Sequence, residues 1–438
     1  LTVLVVFRSA GSGHTAIVEY AGSGNKGFSF GQSGIGLCAD NYVATRTSID
    51  GLAANTPGVG HWEMRTSSPQ IGQAAYNRTP ITTATLACSV GSTKLAVGGS
   101  LLYNQWWFTG DIYEIIYVNR LLTTAERNLL TRRYIGPRYT LTMGSGYNVS
   151  TDLSIPTYDG SGQAIHPDVY VAPTTWSGHK YWMAFTPWPS DPFENPSILC
   201  SDDNVTWAAP VGLTNPVEPA PGVGYNSDTD LLLSPDGVTM YLFWRLVGAA
   251  NTETLYVASS TDGVVWGGKT AIVTGAAVPA GTAPQRVLSP AVLFYGGQYW
   301  MWTVRNTGSA MVVDYWTASA PAGTWTRNGS STVTLPTTTA PFTDRDIWHI
   351  NVEHVEGQLM MTINDNGTCL FLAKSGDGIN WTTAPAPVLT IGNAWDSVSL
   401  YRSAVVPTSD GKTLRIWYAG KTTAWRIGYT EVPIADIF

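Results

Sequence analysis

From about residue 150 onward, short apolar runs alternate with polar turns in a unit that recurs along the chain. Each unit opens with a brief apolar strand and continues into a second strand rich in aromatics: Asp168-VYVAP with KYWMAF, Asp230-LLL with TMYLFW, Ala291-VLF with QYWMWTV, Val352-EHV with QLMMTI. A Ser with a Trp six residues later follows each pair, at Ser201/Trp207, Ser260/Trp266, Ser319/Trp325 and Ser375/Trp381, with Ser-to-Ser intervals of 59, 59 and 56 residues. Two copies read S-x-D-G-x-x-W in full, Ser260–Trp266 and Ser375–Trp381. Such an Asp-Gly turn before an aromatic signals a hairpin, because Gly, Asn and Asp tolerate the positive φ that tight hairpin turns demand. A fifth copy, Ala404-VVP with TLRIWYAG, carries the first two strands and lacks the Ser/Trp hairpin. Repeats of roughly 40–60 residues with four strands each are propeller blades, small sheets that must stack on neighbours to bury both faces. The pattern therefore predicts a five-bladed β-propeller, in which the hairpin Trp residues are packing residues.

Ahead of the repeats, residues 1–138 alternate strand-like stretches (LTVLVVF, HTAIVEYA, GFSFGQ, HWEMR, ATLACSV, KLAVGG) with Gly/Ser/Asn turns. They predict a β-sandwich of jelly-roll type, which gives an all-β chain with a sandwich at 1–138 and the propeller at 139–438. A capping box at Thr123-x-x-Glu126 starts a short helix. The stretch GDIYEIIYVNRLLTTAERNLLTRRY resembles the closing strand and helix of laminin-G/concanavalin A-like domains. That resemblance implies sugar binding or, ranked ahead of it, a purely architectural role, and it carries over no ligand residue.

Charged residues make up 13% of the chain, while 18 Trp, 21 Tyr, 45 Gly and 26 Pro suit many short strands and tight turns. A net charge of −7 without any Lys/Arg run excludes a nucleic-acid partner, whose phosphates need a basic stripe. No apolar window is long enough to span a membrane. The opening LTVLVVF reads as a mid-sheet strand, so an upstream segment is expected. Cys38, Cys88, Cys200 and Cys369 lack metal-site spacing; a Cys38–Cys88 disulfide and buried thiols both stay open. Asp202-Asp203-Asn204 lacks the alternating ligands of a calcium loop, so no metal and no cofactor is assigned.

In a blade, the first strand descends from the top of the central funnel and the second returns, so strand starts and second-to-third-strand loops share the top face. They gather carboxylates, Arg, His and Trp in a chain poor in charge. Carboxylates beside aromatic platforms suit glycosidic cleavage, which uses one carboxylic acid on the leaving oxygen and a second carboxylate as base or nucleophile. The catalytic candidates are Asp168, Asp228, Asp230 and Glu194. The substrate-binding candidates are His166, Trp188, Arg245, Ser289, Arg305, Trp348, His349 and Arg402.

The opening Ile165-His166-Pro167-Asp168-Val169 is similar to the first inner strand of family 43 and related five-bladed glycoside hydrolases. The resemblance implies that Asp168 is the base and that Asp228 or Asp230 tunes the acid. It breaks at the third blade, where Gln285–Ala291 offers no acid, leaving Glu194 or Asp346 to supply one. The run HPDVYVAPTTWSGHKYWMAFTPWP and the following FENPSILCSDDNVTW resemble propeller domains of bacteriophage tail and prophage proteins. Three functions follow: a glycoside hydrolase (depolymerase) of bacterial surface polysaccharide, a receptor-binding protein holding a glycan uncut, and a virion decoration protein. The setting implied is extracellular or the virion surface, with an oligosaccharide or polysaccharide and other tail proteins as partners, and a homo-oligomer is compatible with it.

Overall fold

The computed structural model describes residues 151–438, apart from 280–284, 337–345, 366, 386, 435–436 and 438, together with strand backbones within the first 150 residues. The chain divides into two compact units, Leu1–Gly146 and Tyr147–Phe438. In the first, the described strands form two antiparallel five-stranded sheets. The sandwich packing, the capping box at Thr123 and the Cys38–Cys88 pairing lie outside the described residues. Among the described residues no helix is long and apolar enough to cross a membrane.

The second unit is a five-bladed β-propeller. Blade 1 comprises Ala164–Trp176, His179–Pro187 and Ser197–Ser201; blade 2 runs from Tyr225–Leu233 to Thr270–Thr274 and blade 3 from Leu288–Tyr295 to Thr326–Ser331. Blade 4 begins at His349–Val355. Blade 5 joins Ser399–Pro407, Thr413–Lys421 and Trp425–Pro433 to Thr151–Asp152, so its outer strand comes from the start of the unit. This strand exchange explains why the fifth repeat looked truncated in the sequence. The innermost strands pack in the order 1-2-3-4-5-1 and close the ring.

An apolar layer fills each gap between neighbouring blades. Phe243 and Val257 of blade 2 meet Met301 and Trp316 of blade 3, and Trp302 of blade 3 meets Ile350 and Met361 of blade 4. The Ser/Trp hairpins are self-contained turns. In the first of them Ser201 Oγ accepts from the amides of Asp203 and Asn204, and Asp203 accepts from those of Val205 and Thr206. The residue before the turn's exit also reaches the preceding blade. Asn204 accepts from Trp417 Nε1 at 2.8 Å, and the Gly378 carbonyl accepts from Trp302 Nε1 at 2.8 Å. At Gly263, with φ +75, a Cβ would stand 2.2 Å from the Trp182 ring, so both backbone and packing require glycine there. Cys200 and Cys369 are buried and form no disulfide.

Candidate functional site at the mouth of the axis

Four of the five inner strands carry a β-bulge at the same level, where two residues face one on the neighbouring strand. The register slips between Ile165 and Asp168, Ser227 and Asp230, Leu288 and Ala291, and Leu400 and Ser403. Blade 4 has an unbroken register, and His349 begins it. Bulges re-aim side chains, and here His166, Asp228 and Ser289 hold φ of 55°, 55° and 54°, a region costly for residues other than Gly. These three strained positions fall at equivalent points of blades 1, 2 and 3, in the tier of the axis where side chains of different blades meet.

Three of these side chains converge. His166 Nε2 lies 3.2 Å and His349 Nδ1 lies 3.4 Å from Asp228 Oδ1. All three residues are at most 2% exposed. His166 Nε2, Asp228 Oδ1 and both ring nitrogens of His349 make no hydrogen bond. Buried polar atoms are rarely left so. The ligand atoms of two imidazoles and one carboxylate lie within 4.8 Å of one another, a group that could hold a divalent cation, and unpaired atoms on all three residues fit such an ion.

The surroundings keep these donors in the protonation states that binding needs. Burial opposes ionisation of Asp228, but Arg245, His166 and His349 outweigh it and hold the carboxyl well below the usual range. Arg245 Nε sits 3.0 Å from Asp228 Oδ2. Burial pushes His349 well below the ordinary histidine value, so the ring is neutral. His166 Nδ1 faces Thr186 Oγ1 at 3.0 Å and Glu194 Oε1 at 3.2 Å, partners that orient the ring from its far side.

Above this cluster opens a cavity of about 280 Å³. Its wall includes Trp188, Trp348, Trp425, Tyr225 and Tyr401, with Asp191, Glu194, Arg245 and Gln285 as polar members. Burial raises the Glu194 carboxyl above the ordinary value, against the lowering effect of His166. Trp348 Nε1 donates to the Tyr401 hydroxyl at 3.2 Å, and the Tyr401 ring stands edge-on to His349 with centroids 4.2 Å apart. Burial raises the Tyr401 pKa, so the phenol keeps its proton.

Several residues expected at the funnel lie elsewhere. Asp168 and Asp230 sit beneath the cluster and staple blades together. Asp168 accepts from Leu231 N at 2.6 Å and Asn351 Nδ2 at 2.9 Å; Asp230 accepts from Val292 N at 2.9 Å and Arg402 at 3.2 Å. Arg402 is fully buried and also donates to the Pro290 carbonyl. Arg305 is paired with Asp314 at 2.7 Å within blade 3, and Asp346 is exposed. None of these lines the cavity. His166, Trp188, Glu194, Arg245 and Trp348 do line it, while Asp228 and His349 lie behind the lining, Asp228 within 3.2 Å of His166 Nε2. Sequence reasoning passed over Tyr225 and Tyr401, since neither sits beside a motif, and assigned no metal because the three donors come from three blades.

Burial raises Asp168 from 3.8 to about 6, and burial together with the Asp168 charge raises Asp230 well above its ordinary value. A carboxyl whose folded pKa is raised gives stability that is complete below the unfolded value near 4 and lost as pH rises through the folded value. For Asp168 alone the rise from 3.8 to about 6 corresponds to about 3 kcal/mol. We expect the melting temperature to fall from about pH 4 to just above pH 6, and Asp168→Asn to flatten that slope; calorimetry across the range checks it, and an unchanged slope in the variant refutes it.

No family profile matches the chain. It is 28% identical, over an alignment of 361 residues covering 63% of this chain, to a Flavonifractor plautii protein named A type blood N-acetyl-alpha-D-galactosamine deacetylase. The chain spans 45% of that relative's length. Among solved structures it is similar to an N-acetylgalactosamine deacetylase from F. plautii in complex with blood group B trisaccharide, with TM-score 0.58, 23% identity, and coverage of 66% of this chain and 95% of that one. A thermostable family-43 glycoside hydrolase aligns with TM-score 0.45 and 11% identity over 61% of this chain and 89% of its own. At 23% identity the likeness to the deacetylase structure speaks to the fold alone.

Proposed function

We propose that the propeller is a carbohydrate-active enzyme that hydrolyses the N-acetyl amide of an amino sugar, with a divalent cation held by His166, Asp228 and His349. The observation that carries this reading is the convergence of three buried, unpaired donor atoms directly beneath a cavity walled by Glu194 and Tyr401. The name of the F. plautii relative supports the same chemistry. Glycosidic cleavage, expected from the resemblance to family 43, finds less support. Asp168 and Asp230 are committed to inter-blade hydrogen bonds, and Asp228 faces two histidines instead of the cavity.

A cation in this donor set supplies Lewis-acid polarisation of the amide carbonyl. The chain's own groups do the rest. Glu194 presents Oε1 to His166, and no protein donor among the described residues meets its Oε2, which leaves that oxygen for water. With its pKa raised by burial, Glu194 takes a proton as the water oxygen adds to the acyl carbon. It then delivers that proton to the nitrogen as the C–N bond breaks, releasing an amine and acetate. The Tyr401 hydroxyl already accepts from Trp348, so its proton is directed to the acyl oxygen, where charge develops. The Trp faces cover the C–H faces of one pyranose ring, which suits a cavity of about 280 Å³ to a single terminal sugar.

The test is to incubate the protein, loaded with Zn²⁺ or Mn²⁺, with oligosaccharides ending in N-acetylgalactosamine or N-acetylglucosamine and to measure both acetate and new reducing ends. Acetate without reducing ends is the expected result. New reducing ends would restore the glycosidase reading, and glycan binding with neither product would make the funnel a receptor-binding site.

A further inference from the structure

The three cation donors stand on three blades, and among the described residues the inner strands of neighbouring blades share no sheet ladder. Apolar packing in the gaps is non-directional and does not by itself hold donor atoms to the fraction of an ångström that a metal site demands. Directional bonds across the gaps are needed, and the top tier contains them. Thr229 Oγ1, next to Asp228, donates to the His166 carbonyl at 2.7 Å. Ser289 Oγ accepts from Ile350 N at 3.0 Å and donates to the Ile350 carbonyl at 3.1 Å, one residue beyond His349. The Ser289 amide donates to Asp228 Oδ2 at 3.2 Å. Thr229 and Ser289 are both fully buried.

We propose that Thr229 and Ser289 are positioning residues for the His166–Asp228–His349 donor set, their hydroxyls clamping the backbones from which the two histidines project. The proposal rests on the metal-site reading above. It also changes the role expected for Ser289. With its only hydroxyl proton committed to the Ile350 carbonyl, and lying outside the cavity lining, Ser289 has no donor left for a sugar, and its positive φ is the cost of holding two blades to a third. Thr229 joins blade 2 to blade 1, and Ser289 joins blade 3 to both blade 2 and blade 4, so every pair of blades on this arc is bonded at the level of the donors.

The experiment is calorimetric titration of Zn²⁺ and of Mn²⁺ into the full chain and into Thr229→Val, Thr229→Ser and Ser289→Ala, each variant also checked by thermal melting. Thr229→Val keeps shape and removes the donor. It and Ser289→Ala should weaken cation binding by about 10- to 100-fold, while Thr229→Ser should bind as the parent does. Should Ser289→Ala not fold, the Val/Ser pair at 229 decides alone. Variants that melt earlier yet bind the ions unchanged would overturn the proposal, because the hydroxyls would then merely hold the blades together. A parent protein that takes up neither ion would remove the donor-set reading itself, and the positioning role with it.

Discussion

Glu194→Gln should lower kcat for acetate release by about 10²- to 10⁴-fold while leaving KM within a few-fold, the range removed with a general acid–base group. The amide keeps the size of the side chain and still presents an oxygen to His166 Nδ1, so orientation of the ring survives and only the proton shuttle is lost. That separates two roles the geometry gives to this carboxylate. If Glu194 serves only to orient His166, the Gln variant retains near-parental kcat. Cation affinity should change little in either case, and titration of the variant checks that the donor set is intact. The pH profile adds a second reading. Burial raises the Glu194 pKa, so the acidic limb of kcat/KM in the parent protein should lie above the ordinary carboxylate range, and it should disappear in the variant.

How much of this was legible in the chain differs between scaffold and site. Blade number could be read from the Ser/Trp spacing because each hairpin is a local device, closed by bonds within a few residues such as Ser260 to Gly263 and Asp262 to Val264. The closing strand Thr151–Asp152 could not be read, since its partner is Tyr429, at the other end of the unit. Strand direction predicts one face for His166, Glu194, Arg245, Trp348 and His349, and the first four of them line one cavity. The difference between Asp228 and Asp230 was invisible, although they are two residues apart. A bulge after Ser227 turns Asp228 to the two histidines, and Asp230, past it, to the Val292 amide. Asp168 follows the bulge in blade 1 in the same way. Alternation along a regular strand would have put Asp228 and Asp230 on one face in equivalent settings, and one extra residue per blade is what separates a donor from a staple. The proposed cation site was hidden for a related reason: His166, Asp228 and His349 share neither a helix turn nor a strand, and only ring closure brings them together.

Replacing Asp228 by Asn should be the most damaging single change. The carboxylate is the only anionic donor of the set, and Arg245 at 3.0 Å is arranged around its charge. Activity should fall by about 10³-fold or more, which corresponds to about 4 kcal/mol of transition-state stabilisation. Chelation of the parent protein should reproduce the loss and re-addition of Zn²⁺ or Mn²⁺ should reverse it, whereas no cation should rescue the variant. Stability gives an independent readout. A cation that binds only the folded chain stabilises it by about 2.7 kcal/mol at a hundred times its Kd, so the parent should melt higher with the ion present and Asp228→Asn should melt alike with or without it. The variant should also melt below the cation-free parent at neutral pH. Arg245 would keep Glu253 at 3.4 Å but lose the carboxylate at its Nε, and removing one partner of a buried ion pair costs about 3–5 kcal/mol. Because the Asp228 carboxyl is held well below its ordinary value, that deficit should be complete above about pH 4 and shrink as the pH falls through the folded pKa of the parent. A variant that matches the cation-free parent in stability at pH 7 would show that Asp228 does not anchor Arg245, and one whose melting responds to the ion as the parent's does would show that Asp228 is not a cation donor.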